Sequence, residues 1–186
     1  MIKKTFKQIA ACSLAVCALG ISACGGTEQS GSQSADGSSS STVPVTPDVR
    51  IKIAYGEDKI LQSYEGSSAR KAMGERFEQY LMDEFYLSAF RNEYESRQII
   101  LTPNVDVKNY DVTVSDFQCG DNVLPADAFA LVHEYYSEVT TIFSNDTDME
   151  TGMYPDAAIP FAAAKANGLN KIGTNNNQAV LVTLCA

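Results

Sequence analysis

His133 is the only histidine in this 186-residue chain, next to Glu134 and, at helical spacing, beside Ser137. A histidine that can reach a hydroxyl is the start of a nucleophilic apparatus. That chemistry also needs oxyanion donors at a sharp turn, and no Gly-x-Ser-x-Gly occurs anywhere. His133 is therefore expected as a solvated side chain on the polar margin of a helix, with no catalytic role. One histidine also excludes zinc sites built on two. Cys119, Cys185, His133 and a carboxylate have no zinc-motif spacing.

Asn145-Asp146-Thr147-Asp148-Met149-Glu150 sets oxygen ligands at alternate positions, the spacing of a calcium loop. An EF-hand loop starting at Asp146 needs glycine at its sixth position and glutamate at its twelfth. Thr151 and Ala157 stand there instead. Asp146, Asp148 and Glu150 remain a weak calcium candidate beside the plainer reading of an acidic, solvated loop. No other metal and no cofactor is called for. Glu84, among Tyr80, Phe85 and Leu87, would serve as a general base if burial raised its pKa. Its neighbour Asp83 diverges from it by about 100° on a helix, so the two cannot clamp one atom. Nine tyrosines with no tryptophan could furnish an aromatic contact surface. The simpler expectation puts Tyr80, Tyr110, Tyr135 and Tyr136 at the core edge with their hydroxyls in water.

These side chains need elements to hold them. Val49, Ile51 and Ile53 alternate with Arg50 and Lys52, a half-buried strand, and Lys59 to Tyr64 is expected to return as a second. Gly66-Ser67-Ser68 opens a helix on which Ala69, Met73, Phe77 and Leu81 recur every four residues, bending or stopping near Asp83. Ile99 to Thr102 and Tyr110 to Phe117 read as strands, the first stopped by Pro103. Pro125 suits the first position of a helix whose apolar face would be Phe129, Val132, Tyr136, Val139 and Phe143. Ser144 to Asp156 is polar and turn-rich. Pro160 starts a short helix ended by Gly168, and Asn175-Asn176-Asn177 makes a turn. Ala179 to Cys185 is a continuous apolar strand of the kind buried on both faces. Interspersed strands and helices predict an α+β fold: a single two-layer sandwich, a mostly antiparallel sheet with helices packed on one face.

The first 24 residues carry a different kind of information. Lys3, Lys4 and Lys7 precede a charge-free apolar run from Ile9 to Ile21. Its 13 residues reach about 20 Å as a helix, against a hydrocarbon core of about 30 Å, which suits a signal-peptide h-region. Ile21-Ser22-Ala23-Cys24 resembles the lipobox of bacterial lipoproteins. The resemblance implies a diacylglyceryl group on the Cys24 thiol, cleavage of residues 1–23, and a protein anchored in the cell membrane facing outside the cytoplasm. Residues 24–47 follow as a flexible Ser- and Gly-rich tether, too polar to offset its own ordering entropy. Residues 48–186 form one globular domain.

Processing also shifts the charge. The 14 Lys and Arg against 23 Asp and Glu become 11 against 23 once three signal-peptide lysines are gone, a formal −12. That sign repels phosphate backbones and argues against nucleic acid as a partner. Cys119 and Cys185 are the two thiols left outside the cytoplasm. Two readings fit them: a disulfide closing a long loop, and a pair of buried thiols packed as small hydrophobes. The expected function is a non-catalytic envelope lipoprotein whose domain binds a ligand, a glycan or wall polymer, or an envelope protein. The alternative is a small extracytoplasmic, hydrolase-like enzyme with a site outside the known motifs. A concave pocket with converging polar groups would favour the enzyme, and a flat apolar patch the binding module.

Overall fold

The computed structural model describes residues 46–142 and 150–186, apart from the side chain of residue 119. Among them, in chain order, are β1 (Val49–Tyr55), α1 (Ser68–Glu78), β2 (Tyr94–Pro103), β3 (Phe117–Cys119), β4 (Asn122–Leu124), β5 (Phe129–Val139), β6 (Gly152–Pro160), α2 (Phe161–Ala166) and β7 (Gln178–Cys185). Five strands make one sheet in the order β1-β2-β7-β5-β6, every neighbouring pair antiparallel, and β3 and β4 form a separate hairpin. Antiparallel sheet with two helices is the α+β class that the sequence predicts.

The apolar run at the end of the chain takes the middle of the sheet. β7 pairs with β2 on one side and β5 on the other, so that Val180 lies opposite both Ile99 and His133. Ala179 and Val180 are fully buried and Val182 nearly so. Successive strand residues point to opposite faces, and the core divides accordingly. On one face Ile53, Ile99, Leu101, Val180 and Val182 meet Tyr110, Phe161 and Ile172. On the other, Ala54, Ile100 and Ala179 meet Ile60, with Phe77 and Leu81 packed against them. Each large apolar side chain buried this way contributes about 1.5–3 kcal/mol.

This division corrects one expectation. Phe77 of α1 and Phe161 of α2 belong to clusters on opposite faces, so the helices do not share one side. The reason is that both faces of β2 and β7 are apolar, and each needs its own cover.

α1 begins where the sequence places it. The Ser67 hydroxyl accepts a hydrogen bond from the Arg70 amide at 3.1 Å, an N-cap that satisfies one otherwise orphaned donor. The helix ends at Glu78, a turn earlier than Asp83. Met82 instead pairs with Ile53 through two 2.8 Å backbone bonds along the outer edge of β1, and Asp83 lies in an ion pair with Lys52 at 2.5 Å. α2 runs from Phe161, with Gly168 in the left-handed region at φ +65°.

Four local expectations fail. The segment expected as a helix after Pro125 is a single 3-10 turn, Ala126–Ala128, followed by the eleven-residue strand β5. Residues 59–64 form no strand, although Ile60 and Leu61 are buried. The alternating segment 110–116 joins no ladder: it lies over the sheet, with Val112 and Val114 packed on the Ile53 cluster. The turn-rich stretch up to Asp156 contains the start of β6, an edge strand whose Pro155 and Pro160 are tolerated there.

Candidate functional site

His133 lies inside the core. It is 2 % exposed, on β5, and shares a 2.6 Å hydrogen bond through Nδ1 with the Tyr110 hydroxyl. Tyr110 is itself buried and packs against the Phe161 ring in a tilted arrangement, centroids 5.6 Å apart. Burial holds the imidazole below its ordinary pKa and the Tyr110 phenol above its own. The expected solvated, helical histidine is thus corrected: it is a satisfied core side chain on a strand, and Tyr110 is its partner. Tyr136 is likewise buried, its hydroxyl out of water, while Tyr80 and Tyr135 are exposed as expected.

The carboxylate candidates separate. Glu84 is exposed, so the burial that would have made it a general base is missing. Asp146 and Asp148 lie outside the described residues, as do Cys24 and the tether up to residue 45. Glu150 is described, and its carboxylate accepts a hydrogen bond from the Ser67 hydroxyl at the start of α1. No group of three His, Cys, Asp or Glu converges among the described residues. Cys185 ends β7 and is exposed, so it is not the buried thiol of the second cysteine reading. The Cys119 side chain lies outside the described residues, and with it the proposed bridge.

The concave surface lies elsewhere, at the start of α1. Two clefts of about 400 and 420 Å³ adjoin there, and Ser63 lines both. Their common wall is the segment before α1, tied down by backbone bonds. Gln62 N–H donates to the Met153 carbonyl at 3.1 Å, and Asn177 N–H donates to the Gln62 carbonyl at 2.8 Å. The buried Asn177 side chain adds a 2.9 Å bond from Nδ2 to the Leu61 carbonyl and accepts from the Thr102 hydroxyl at 2.7 Å. Ser63 therefore follows a stretch pinned to both β6 and the start of β7.

The first cleft is floored by the β5–β6 ladder where Glu138 and Val139 face Met153 and Gly152. Arg70 reaches over it from the first turn of α1. A Cβ on Gly152 would sit 2.9 Å from Arg70 Nη2 and 3.1 Å from Cζ, so the guanidinium lies close against the strand at this glycine. Nη1 donates to the Glu65 carbonyl at 3.2 Å, and Nε is buried without a hydrogen-bond partner among the described residues. Ser63, Thr140 and Thr151 add hydroxyls around it. The second cleft carries Tyr64, Lys71, Asn175 and Asn177 with Arg50, whose guanidinium is paired with Glu78 at 2.8 Å. Asn175 takes the left-handed conformation expected of that asparagine turn, φ 60°.

Arg70, Glu138 and Ser63 escape a reading of the sequence because 68 residues separate Arg70 from Glu138 and no motif joins them. The available signal was the capped start of α1, which puts Arg70 three residues after Ser67. Among the described residues no helix is long and apolar enough to cross a membrane. No protein-family model matches the chain, and no curated protein matches it. The fold and the double cleft therefore carry the functional argument.

Proposed function

We propose that this chain is an envelope lipoprotein, held at the membrane through Cys24, whose domain binds a ligand in the double cleft at Ser63 and performs no histidine-dependent chemistry. The observation that carries this reading is the pair of adjoining clefts lined by hydroxyl, amide and guanidinium groups. Each is at the lower end of the size that ligand sites occupy, about 300–1,000 Å³, and together they form a run of polar contacts suited to an oligomeric ligand. Polar clefts are the feature that suits the hydrolase-like alternative; the non-catalytic reading is supported by His133, which is buried and lines neither cleft, since a general base needs reach to a substrate proton. The polar tether before β1 would let the domain sample the space above the bilayer.

Retention of the purified full-length protein on isolated envelope polymer and on immobilised short peptides tests the reading. Ser63→Trp puts an indole where the two clefts meet and should abolish retention, while His133→Gln, wherever it folds, should retain it. Undiminished retention of Ser63→Trp would remove the double cleft as the binding site.

A further inference from the structure

Arg70 and Glu138 line the same cleft yet form no ion pair with each other among the described residues. A guanidinium and a carboxylate facing one cavity without neutralising each other leave two opposite charges for a ligand to meet. Arg70 is the stronger of the two handles. Its guanidinium lies against Gly152, donates to the Glu65 carbonyl, and has a buried Nε–H with no partner among the described residues. A half-buried guanidinium held in place by a neighbouring carbonyl is suited to a carboxylate, the partner with which it makes charge-assisted hydrogen bonds. Glu138 is exposed on the strand that floors the same cleft, so it acts as a weaker selector. It repels a polyanion and favours a ligand that carries a cationic group as well as its anion.

Resting on the double-cleft reading, we infer that the first cleft takes a short zwitterionic peptide, its C-terminal carboxylate on Arg70 and its N-terminal ammonium toward Glu138. Ser63, Thr140 and Thr151 supply hydroxyls that both donate and accept, the pairing that an amide N–H and C=O require. A volume of about 400 Å³ suits one to three small residues.

The probe is dialanine, titrated into the full-length protein in detergent alongside its C-amidated and N-acetylated forms. Free dialanine should bind. Amidation should weaken binding by about tenfold or more, as expected for a charge-assisted pair. Acetylation should weaken it by about two- to fivefold, the size of an exposed pair. Arg70→Met should reproduce the loss and show no further loss on amidation, whereas Arg70→Lys should recover part of the affinity. Glu138→Gln should erase the difference made by acetylation. Equal binding of the free and blocked peptides would overturn the zwitterion assignment. Failure of every peptide while Ser63→Trp still loses polymer retention would overturn it too, leaving the double cleft in place. Ser63→Trp with unchanged binding of all ligands would overturn both.

Discussion

The Tyr110 hydroxyl and His133 Nδ1 lie 2.6 Å apart in the core, joining a segment that covers the sheet to a strand within it. Tyr110 is also tied outward: its N–H donates to the Asn170 carbonyl at 3.1 Å, and its carbonyl accepts from Asn170 Nδ2 at 2.8 Å. One residue thus fastens the 104–116 cover to both the sheet and the loop after α2.

Tyr110→Phe keeps the ring and removes the hydroxyl, leaving a buried imidazole nitrogen without its partner. A loss of about 1–3 kcal/mol is expected, read as a lower urea midpoint with an unchanged slope. A variant as stable as the parent would mean that water replaces the hydroxyl there.

The same pair sets a pH dependence. Burial lowers the His133 pKa in the folded state, so the unfolded chain binds its proton more readily. The His133 contribution is complete above the unfolded value of about 6.5 and is lost as pH falls toward the folded value, with a slope of at most about 1.4 kcal/mol per pH unit. Glu134 opposes it: burial raises that carboxyl above its usual range, and Lys59 only partly offsets the shift. Its contribution grows as pH falls. Because His133 is the only histidine, comparing denaturation midpoints of the parent and His133→Gln from pH 7.5 to 5 isolates its share. The parent should lose more stability than the variant across that range.

Gly74 lies inside α1, where alanine normally favours a helix by about 1 kcal/mol. Here a Cβ would sit 2.4 Å from Tyr64 Cγ. Overpacking costs about 1–3 kcal/mol, so the clash should win and Gly74→Ala should lower the melting temperature. Tyr64→Ala made in the same chain should cancel most of the difference between glycine and alanine.

Val182→Asp puts an unpaired charge into the central strand, at a position 3 % exposed. Loss of about 4 kcal/mol or more is expected, enough to prevent folding of a marginally stable domain. Circular dichroism of the soluble fraction gives the answer. A folded variant would contradict the burial of β7.

Cys24→Ala should release the protein from membranes or leave the precursor uncleaved. Labelled palmitate should enter the parent and not the variant. Incorporation into the alanine form would remove the anchor from the functional reading.

β1, α1, α2 and β7 were legible because each has one dominant signal: strict alternation, a serine cap, a proline start with a glycine end, and an unbroken apolar run. β5 was not. Phe129, Leu131 and His133 follow the two-residue strand period, but the pairing register with β6 slips between Tyr135 and Tyr136. The extra residue there is Asp156, on β6, so β5 itself keeps its alternation. Both of its faces carry apolar residues, and Val132, Tyr136 and Val139 therefore fall at three- and four-residue steps that imitate a helix face. The β-branched and aromatic composition of 129–142 was the better guide. The 110–116 segment failed in the opposite sense. Its alternation was real, but alternation reports one apolar side, and a chain lying flat on a sheet satisfies that without a ladder. The cleft was hardest to foresee, since Ser63, Arg70, Glu138 and Gly152 converge only through tertiary contacts.

The central place of β7 has a temporal consequence. β2 and β5 have no shared edge, and only β7 joins the half of the sheet built from β1 and β2 to the half built from β5 and β6. Gln98 must wait for Leu181, and Leu131 for Val182, before either half gains its second neighbour. Pairings that distant in sequence are slow to form, and a nascent chain without β7 has two half-sheets with open apolar edges. Such a chain stays loose until β7 has been made, and its two halves then close on that strand together.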